Sequence, residues 1–355
     1  MKITVSILVV GSALCFGGSA CAQSEHATDA QHPQTDLPQY RISQQRLMDT
    51  LAALPTQRSG TGREAHWDGL KQTEQYVADE LRALGLEVVT QDIPWRPPGT
   101  RKRADEPDTP QPPVFCNIIA DIPGADPSLD VIVVSAHTDV VPRSKGADDD
   151  GSGVAALLEI ARVLHDKPMQ RTVRLAFFNL EEAGLIGSSH YVAELFDQRA
   201  ADPDVPGVQW MMSLEMLGYY SDEPNSQRSP IPPIENVFEP PTVGDFLVIT
   251  TVSRHQKFSQ ALDKAMFDAW PDAKTYLVDQ FPIAPPDMLR SDHAPFLSRR
   301  IPAMMLTDTA NFRNPNYHQP TDTIDTIDVE RYTAVVRALA GAIHTLADPV
   351  TEETP

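Results

Sequence analysis

The chain is short of cysteine and of positive charge, and each shortage narrows what it can be. Among 355 residues the only cysteines are Cys15, Cys21 and Cys116. Two of them fall within residues 1–22, which read as a signal peptide: Met1-Lys2, the apolar run ITVSILVVGSALCFGG, then Ala20-Cys21-Ala22 before Gln23. Cleavage there makes the protein exported, periplasmic or secreted. It also leaves Cys116 alone, so no internal disulfide is possible and the fold must rest on its core. A competing reading makes Cys21 a lipid-modified N-terminus, but Gly18 stands where such a signal usually carries leucine.

Lys and Arg number 29 against 49 Asp and Glu, a net charge of −20. Nucleic acid and anionic membranes need a basic face to displace their counterions, so neither is expected as a partner. No repeat appears, nor any later apolar run long enough to span a bilayer, so no stable membrane insertion is expected. With 41% hydrophobic residues the chain can bury one large core or two modest ones.

Residues 23–40 are polar and without periodicity and read as a flexible tether, with order beginning near Ile42 and a single domain over 41–349. Two helices are expected next, in ISQQRLMDTLAAL and over Trp67–Leu84, and Gly85 ends the second. LEVVTQDIPW reads as a strand. The charged, proline-rich stretch Thr100–Pro113 reads as an exposed loop. Phe115–Ala120 is expected as a strand paired to the one that follows at Val131.

VIVVSAHTDVVPRSKGADDDGSG, from Val131 to Gly153, is the centre of the chain. Its four β-branched apolar residues in a row read as a strand buried on both faces. After it strand and helix alternate: helix Val154–Leu164, strand Val173–Phe178, helix about Leu185–Phe196, strand Val208–Leu214, strand Phe246–Val252, helix Gln256–Trp270, strands Tyr276–Val278 and Ile301–Leu306, helix Val329–Leu346. That alternation is the mark of a mostly parallel sheet covered by helices on both faces. Tyr219–Pro241, proline-rich and irregular, interrupts it. Loops of such length in a compact domain are usually functional or mobile. Because it leaves directly from the strand carrying Glu215, it is expected to rim the site.

The chemistry lies at strand ends. His137 and Asp139 close one strand, Glu181 and Glu182 the next, Glu215 the third, and His318 lies in the late loop NPNYHQPTD. A parallel sheet gathers its strand ends on one crevice, so these residues can converge there. Two histidines and at least three carboxylates so placed suit zinc. Taken singly, the DDD run and the EE pair read as helix caps, favoured by the dipole alone. Their recurrence at three successive strand ends is what capping does not explain.

AHTD, GADDDGSG, NLEEAGLIGS, LEMLG, SDHAPF and NPNYHQPTDT, in this order and spacing, resemble the secreted di-zinc aminopeptidases of clan MH over roughly residues 114–347. The resemblance implies a three-layer α/β/α sandwich around a doubly wound mixed sheet, two zinc ions per chain, and peptide substrates shortened from the N-terminus by a metal-bridging hydroxide. It places His137 and Glu215 on one zinc, Glu182 and His318 on the other, and Asp149 between them, because the family's bridging acid stands two residues before the glycine. Three carboxylates against two Zn²⁺ then leave one positive charge for the hydroxide to neutralise.

On the same basis Glu181 is the proton-transfer base. Asp139 would hydrogen-bond the second nitrogen of His137 and fix its tautomer. Tyr317 would donate to the tetrahedral intermediate, and Asp292 and His293 would belong to the pocket wall. Glu215 stands where most aminopeptidases of the family carry aspartate, which marks a subgroup. Ser291-Asp292-His293 has no glycine elbow and is not expected to act as a nucleophilic triad. His190 and Cys116 read as structural.

Three other functions share this pattern. A glutaminyl cyclase would use one zinc. A carboxypeptidase would need a cationic pocket, for which Arg290 and Arg313 are the nearest candidates. A binding module would have lost its metals.

Overall fold

The computed structural model describes residues 36–95 and 113–348. The signal segment with Cys21, most of the tether and the loop over 100–112 lie outside the described residues. An eight-stranded sheet runs through the molecule in the order β1-β2-β4-β3-β5-β8-β6-β7. The strands are β1 Val88–Ile93, β2 Phe115–Ile122, β3 Val131–His137, β4 Val173–Phe178, β5 Val208–Glu215, β6 Leu247–Thr250, β7 Thr275–Val278 and β8 Ala303–Thr307. Strands β4, β3, β5 and β8 are parallel neighbours, while β1, β2 and β6 enter antiparallel. This is the expected doubly wound, mostly parallel α/β/α sandwich.

All seven residues of β3 are buried, as a run of β-branched residues requires when both faces are covered. Successive side chains go to opposite layers. Ile132 and Val134 join a core with α2 (Gln44–Ala53), α3 (Glu64–Ala83), α4 (Gly151–Leu164), α6 (Gln256–Ala269) and α8 (Val329–Leu346). Val131 and Val133 meet α5 (Ile186–Ala201) and α7 (His293–Ser298) on the other face. Helix α4 starts where the Asp150 carboxylate accepts from Gly153 N. A Cβ on Gly153 would stand 2.7 Å from the Leu214 carbonyl oxygen, so glycine there lets the helix lie against β5.

Two expectations fail locally. Strand β2 pairs with β1 and β4, both antiparallel, and not with β3. Both neighbours of β3 are instead parallel strands reached through crossover helices, a connection invisible in the spacing of β2 and β3. Order also begins before Ile42: Pro38–Arg41 forms a short helix, α1, that packs on α8 with Pro38 and Gln39 buried. The Arg41 carbonyl accepts from Arg162 Nη2 at 2.6 Å, and its guanidinium meets Asp166 at 2.7 Å. Four residues are too few to show a helical period, so the polar composition dominated the reading.

Candidate metal centre

The crossover from β3 to β4 runs through α4 on one face, and that from β4 to β5 returns past β3 through α5 on the other. Strand order therefore reverses at the carboxyl end of β3, where open sheets of this kind form their ligand crevice. His137 is the last residue of β3 and Glu215 the last of β5. Glu181 and Glu182 follow β4, Asp149 lies just before α4, and His318 arrives from the loop ahead of α8.

The side chains meet in two groups that share Asp149. His137 Nε2 stands 3.1 Å from Asp149 Oδ1 and 3.6 Å from Glu215 Oε1. His318 Nε2 stands 3.1 Å from Asp149 Oδ2 and 3.1 Å from Glu182 Oε1. Within each trio, one donor atom per residue lies within 4.8 Å of the others. Among the described residues, His137 Nε2, Asp149 Oδ2 and Glu182 Oε1 are buried without a hydrogen-bond partner. Polar atoms that are buried and unpaired are rare and call for an explanation such as an ion. Ligand atoms on a tetrahedral zinc with bonds of about 2.0–2.2 Å stand roughly 3.3–3.5 Å apart, so the donor set fits zinc in kind and in spacing.

The electrostatics agree. Burial would lower His137, but Glu215 and Asp149 raise it well above the ordinary imidazole range. Burial opposes ionisation of Asp149 too, yet the two imidazoles hold it below the usual carboxylate range. His318 is likewise raised, against burial, to about 9 by Asp149 and Glu182. Burial, reinforced by Asp149, lifts Glu182 to about 7. These side chains alone demand positive charge in the crevice, and a divalent cation supplies it. Burial also pushes Glu181 well up, with the charges of Glu215, Glu182 and Asp292 adding to it.

Three consecutive acids have three different tasks. Asp149 faces the crevice. Asp150 turns back to accept from His137 N at 3.0 Å, Met216 N at 3.1 Å and Gly153 N at 3.1 Å, tying β3, β5 and α4 together. Asp148 accepts from Gly218 N at 2.8 Å and Asn314 Nδ2 at 2.8 Å, which draws the His318 loop in. Leu180, Met216 and His318 have φ of 59°, 60° and 57°. Each such residue costs on the order of 1–3 kcal/mol and persists only where its surroundings dictate it.

Asp139 does not act on His137 through its carboxylate. His137 Nδ1 is 2.9 Å from the Asp139 carbonyl oxygen and 3.8 Å from its Oδ1, which instead accepts from Glu181 N at 2.9 Å. The backbone turn after β3 brings the carbonyl nearer, so Asp139 fixes the Glu181 loop while its main chain orients the imidazole. Asp292 and His293 are also misplaced by the sequence. Both are fully buried at the start of α7, His293 Nε2 is 2.7 Å from the Met288 carbonyl, and neither lines the open cleft. Their neighbours Asp287, Met288 and Arg290 do so.

Ser291 is no nucleophile: its hydroxyl donates to Glu215 Oε2 at 2.7 Å, and Ser213 Oγ lies 2.9 Å behind it. His190 pairs loosely with Glu194 on α5, away from the crevice. Cys116 is buried, with its thiol 3.1 Å from Glu74.

Two supports go unassigned by the sequence. Arg58 is 1% exposed and donates to the carbonyls of Thr138 at 3.0 Å, Gly146 at 2.6 Å and Pro55 at 2.9 Å, clamping both ends of the loop between His137 and Asp149. Asp322 accepts from Asp148 N at 2.8 Å and Asp149 N at 3.2 Å. Asp322 at least lay inside the late loop motif.

Beside Glu215 and Tyr317 opens a cavity of about 120 Å³. Ile231, Phe238, Phe246, Val248, Met288 and Phe312 give it an apolar wall, part of it from the proline-rich excursion. That excursion is pinned by Gln227, which donates to Thr309 Oγ1 at 3.0 Å and accepts from Arg313 Nε at 2.8 Å. It rims the cleft as its point of departure suggested.

Residues 117–343 match Peptidase family M28. The chain belongs to peptidase family M28. Its relatives include an uncharacterised Escherichia coli (strain K12) protein, YfbL, 33% identical over 278 residues that make up 76% of this chain and 78% of YfbL. Aminopeptidase YwaD of Bacillus subtilis (strain 168) is 33% identical over 169 residues, 45% of this chain but only 36% of YwaD. Among solved structures, BSAP, a zinc aminopeptidase from Bacillus subtilis, superposes with a TM-score of 0.63 at 19% identity, over 88% of this chain and 97% of BSAP. At that identity the likeness is one of fold. In this M28 chain the matched span contains all five residues of the two trios, whereas Arg58 precedes it.

Proposed function

We propose that this chain is an exported di-zinc aminopeptidase that removes the N-terminal residue from peptides. The observation that carries the reading is Asp149, whose two oxygens face two separate histidines, each with its own glutamate. His137 and Glu215 would hold one zinc, Glu182 and His318 the other, and Asp149 both. Zinc so held lowers the pKa of water and polarises a carbonyl. Glu181 takes the proton from the attacking water and passes it to the leaving amine. Tyr317, on the cleft wall, donates a hydrogen bond to the oxygen of the tetrahedral centre. The apolar cavity, with Glu215 on its wall, receives the side chain of the first residue.

The carboxypeptidase alternative lacks support at its two candidate cations. Arg290 is engaged by Asn311 and Tyr317, and Arg313 is 7% exposed and bound to Gln227. A cyclase with one zinc leaves the second trio unexplained. Export rests on residues 1–22; among the described residues no helix is long and apolar enough to cross a membrane.

The test is metal content of the purified chain together with hydrolysis of free and N-acetylated peptides. Two zincs and cleavage of free N-termini only are expected, with leucine or phenylalanine preferred over aspartate in first position by roughly 10–100-fold. One zinc with cyclisation of N-terminal glutamine, release of C-terminal residues, or no metal and no turnover would each overturn the reading.

The Ser291 hydroxyl gives a further expectation. Ser291→Ala removes a donor to a proposed ligand, and such supports are worth about 10–100-fold in metal affinity. Titration against a chelator should show the weakening; an unchanged dissociation constant would mean Glu215 is held by its strand alone.

A further inference from the structure

Tyr317 reaches the cleft with its phenol gripped from behind. Arg290 Nη2 donates to the Tyr317 hydroxyl at 2.8 Å, and the guanidinium carbon stands 5.5 Å from the ring centroid. Arg290 is itself fixed, because Nη1 donates to Asn311 Oδ1 at 2.8 Å and lies 3.5 Å from Asp287. The phenol ring also stacks on His318, centroids 3.8 Å apart and planes 20° from parallel. A phenol has one proton and two lone pairs, whereas a guanidinium can only donate. Arg290 therefore fills a lone pair and leaves the phenolic proton to be given elsewhere. Among the described residues no acceptor takes it, and the cleft is the open direction.

We propose that Arg290 is a positioning residue for hydrolysis: by donating to the phenol oxygen it aims the Tyr317 O–H at the developing oxyanion and makes it a stronger donor. The proposal rests on the aminopeptidase reading above. The cation polarises the O–H through the oxygen they share, as successive hydrogen bonds reinforce one another, and a charged donor does so most. Two parallel tasks, one nitrogen on Asn311 and one on Tyr317, need the planar fork of arginine; a lysine ammonium offers a single point.

The test is a double-mutant cycle on the zinc-loaded full chain, with kcat and KM measured for wild type, Arg290→Met, Tyr317→Phe and the double variant. Tyr317→Phe should lower kcat by about 10²–10³-fold, as loss of one oxyanion donor does. Arg290→Met should lower it about tenfold with KM nearly unchanged, and the double variant should be no slower than Tyr317→Phe alone. A merely structural effect of Arg290 would multiply with that of Tyr317, so multiplicative losses overturn the proposal. Arg290→Met raising KM alone would place Arg290 on the substrate and overturn it equally. A wild-type chain that cleaves no free-amine peptide would bring down the underlying reading, and the proposal with it.

Discussion

Glu181→Gln is expected to retain two zinc ions per chain and to lose kcat by about 10²–10⁴-fold, the range associated with a general acid–base group. The expectation rests on where its side chain stands. Glu181 belongs to neither donor trio, although its neighbour Glu182 lies 3.1 Å from His318. Its backbone N–H is held by Asp139 Oδ1 at 2.9 Å, so glutamine should occupy the same place without moving the ligands. Burial and the acids around it raise its carboxyl well above the ordinary range. A group so placed binds a proton readily, and cations in the crevice would offset that rise and keep it able to accept one. The amide is isosteric and cannot accept the proton. Zinc analysis and steady-state kinetics on one preparation decide it; a Glu181→Gln chain that has lost zinc would show that base and ligand are the reverse of this assignment.

Asp149→Ala should empty the centre, whereas His318→Ala should remove only one ion. His318 serves one trio, and its loss leaves His137, Asp149 and Glu215 together. Asp149 serves both, and without it each imidazole keeps one glutamate and no ligand is shared. Zinc per chain should therefore fall from two to one in His318→Ala and toward zero in Asp149→Ala, with turnover lost in the latter. Thermal unfolding gives an independent reading. A ligand at 100 times its dissociation constant stabilises the native state by about 2.7 kcal/mol, so added zinc should raise the Tm of wild type and not that of Asp149→Ala. Equal zinc loss in the two variants would mean the ions bind only as a pair, and full retention in Asp149→Ala would refute the bridge.

The chain itself announces much of this. The unbroken apolar strand VIVV, the alternation of strands and helices after it, and the acids and histidines at successive strand ends were all readable. These features are local: burial on both faces selects β-branched residues over a short run, and a crossover needs a helix of visible period. The helix Val329–Leu346 was bounded to the residue for the same reason. The choice of Asp149 within the DDD run comes from the resemblance; in the structure its oxygens face the two histidines, while the flanking acids spend theirs on backbone amides, on the Ser152 hydroxyl and on Asn314.

Contacts between parts distant in sequence were not readable. The pairing of β2 with β1 and β4, the clamp of Arg58 on a loop about 80 residues away, and the Ser291 hydroxyl on Glu215 join segments whose local patterns are silent about each other. The tasks expected of Asp139, Asp292 and His293 alongside the resemblance are ones their positions do not allow: burial keeps Asp292 and His293 off the cleft, and the turn of the backbone decides whether a carboxylate or a carbonyl meets an imidazole. Sequence alone thus determined the fold class and which side chains could bind metal, because both follow from periodicity and from strand ends. Tertiary structure alone decided which atoms face the crevice and what holds them there, because hydrogen bonds are directional and a displacement of one ångström exchanges one partner for another.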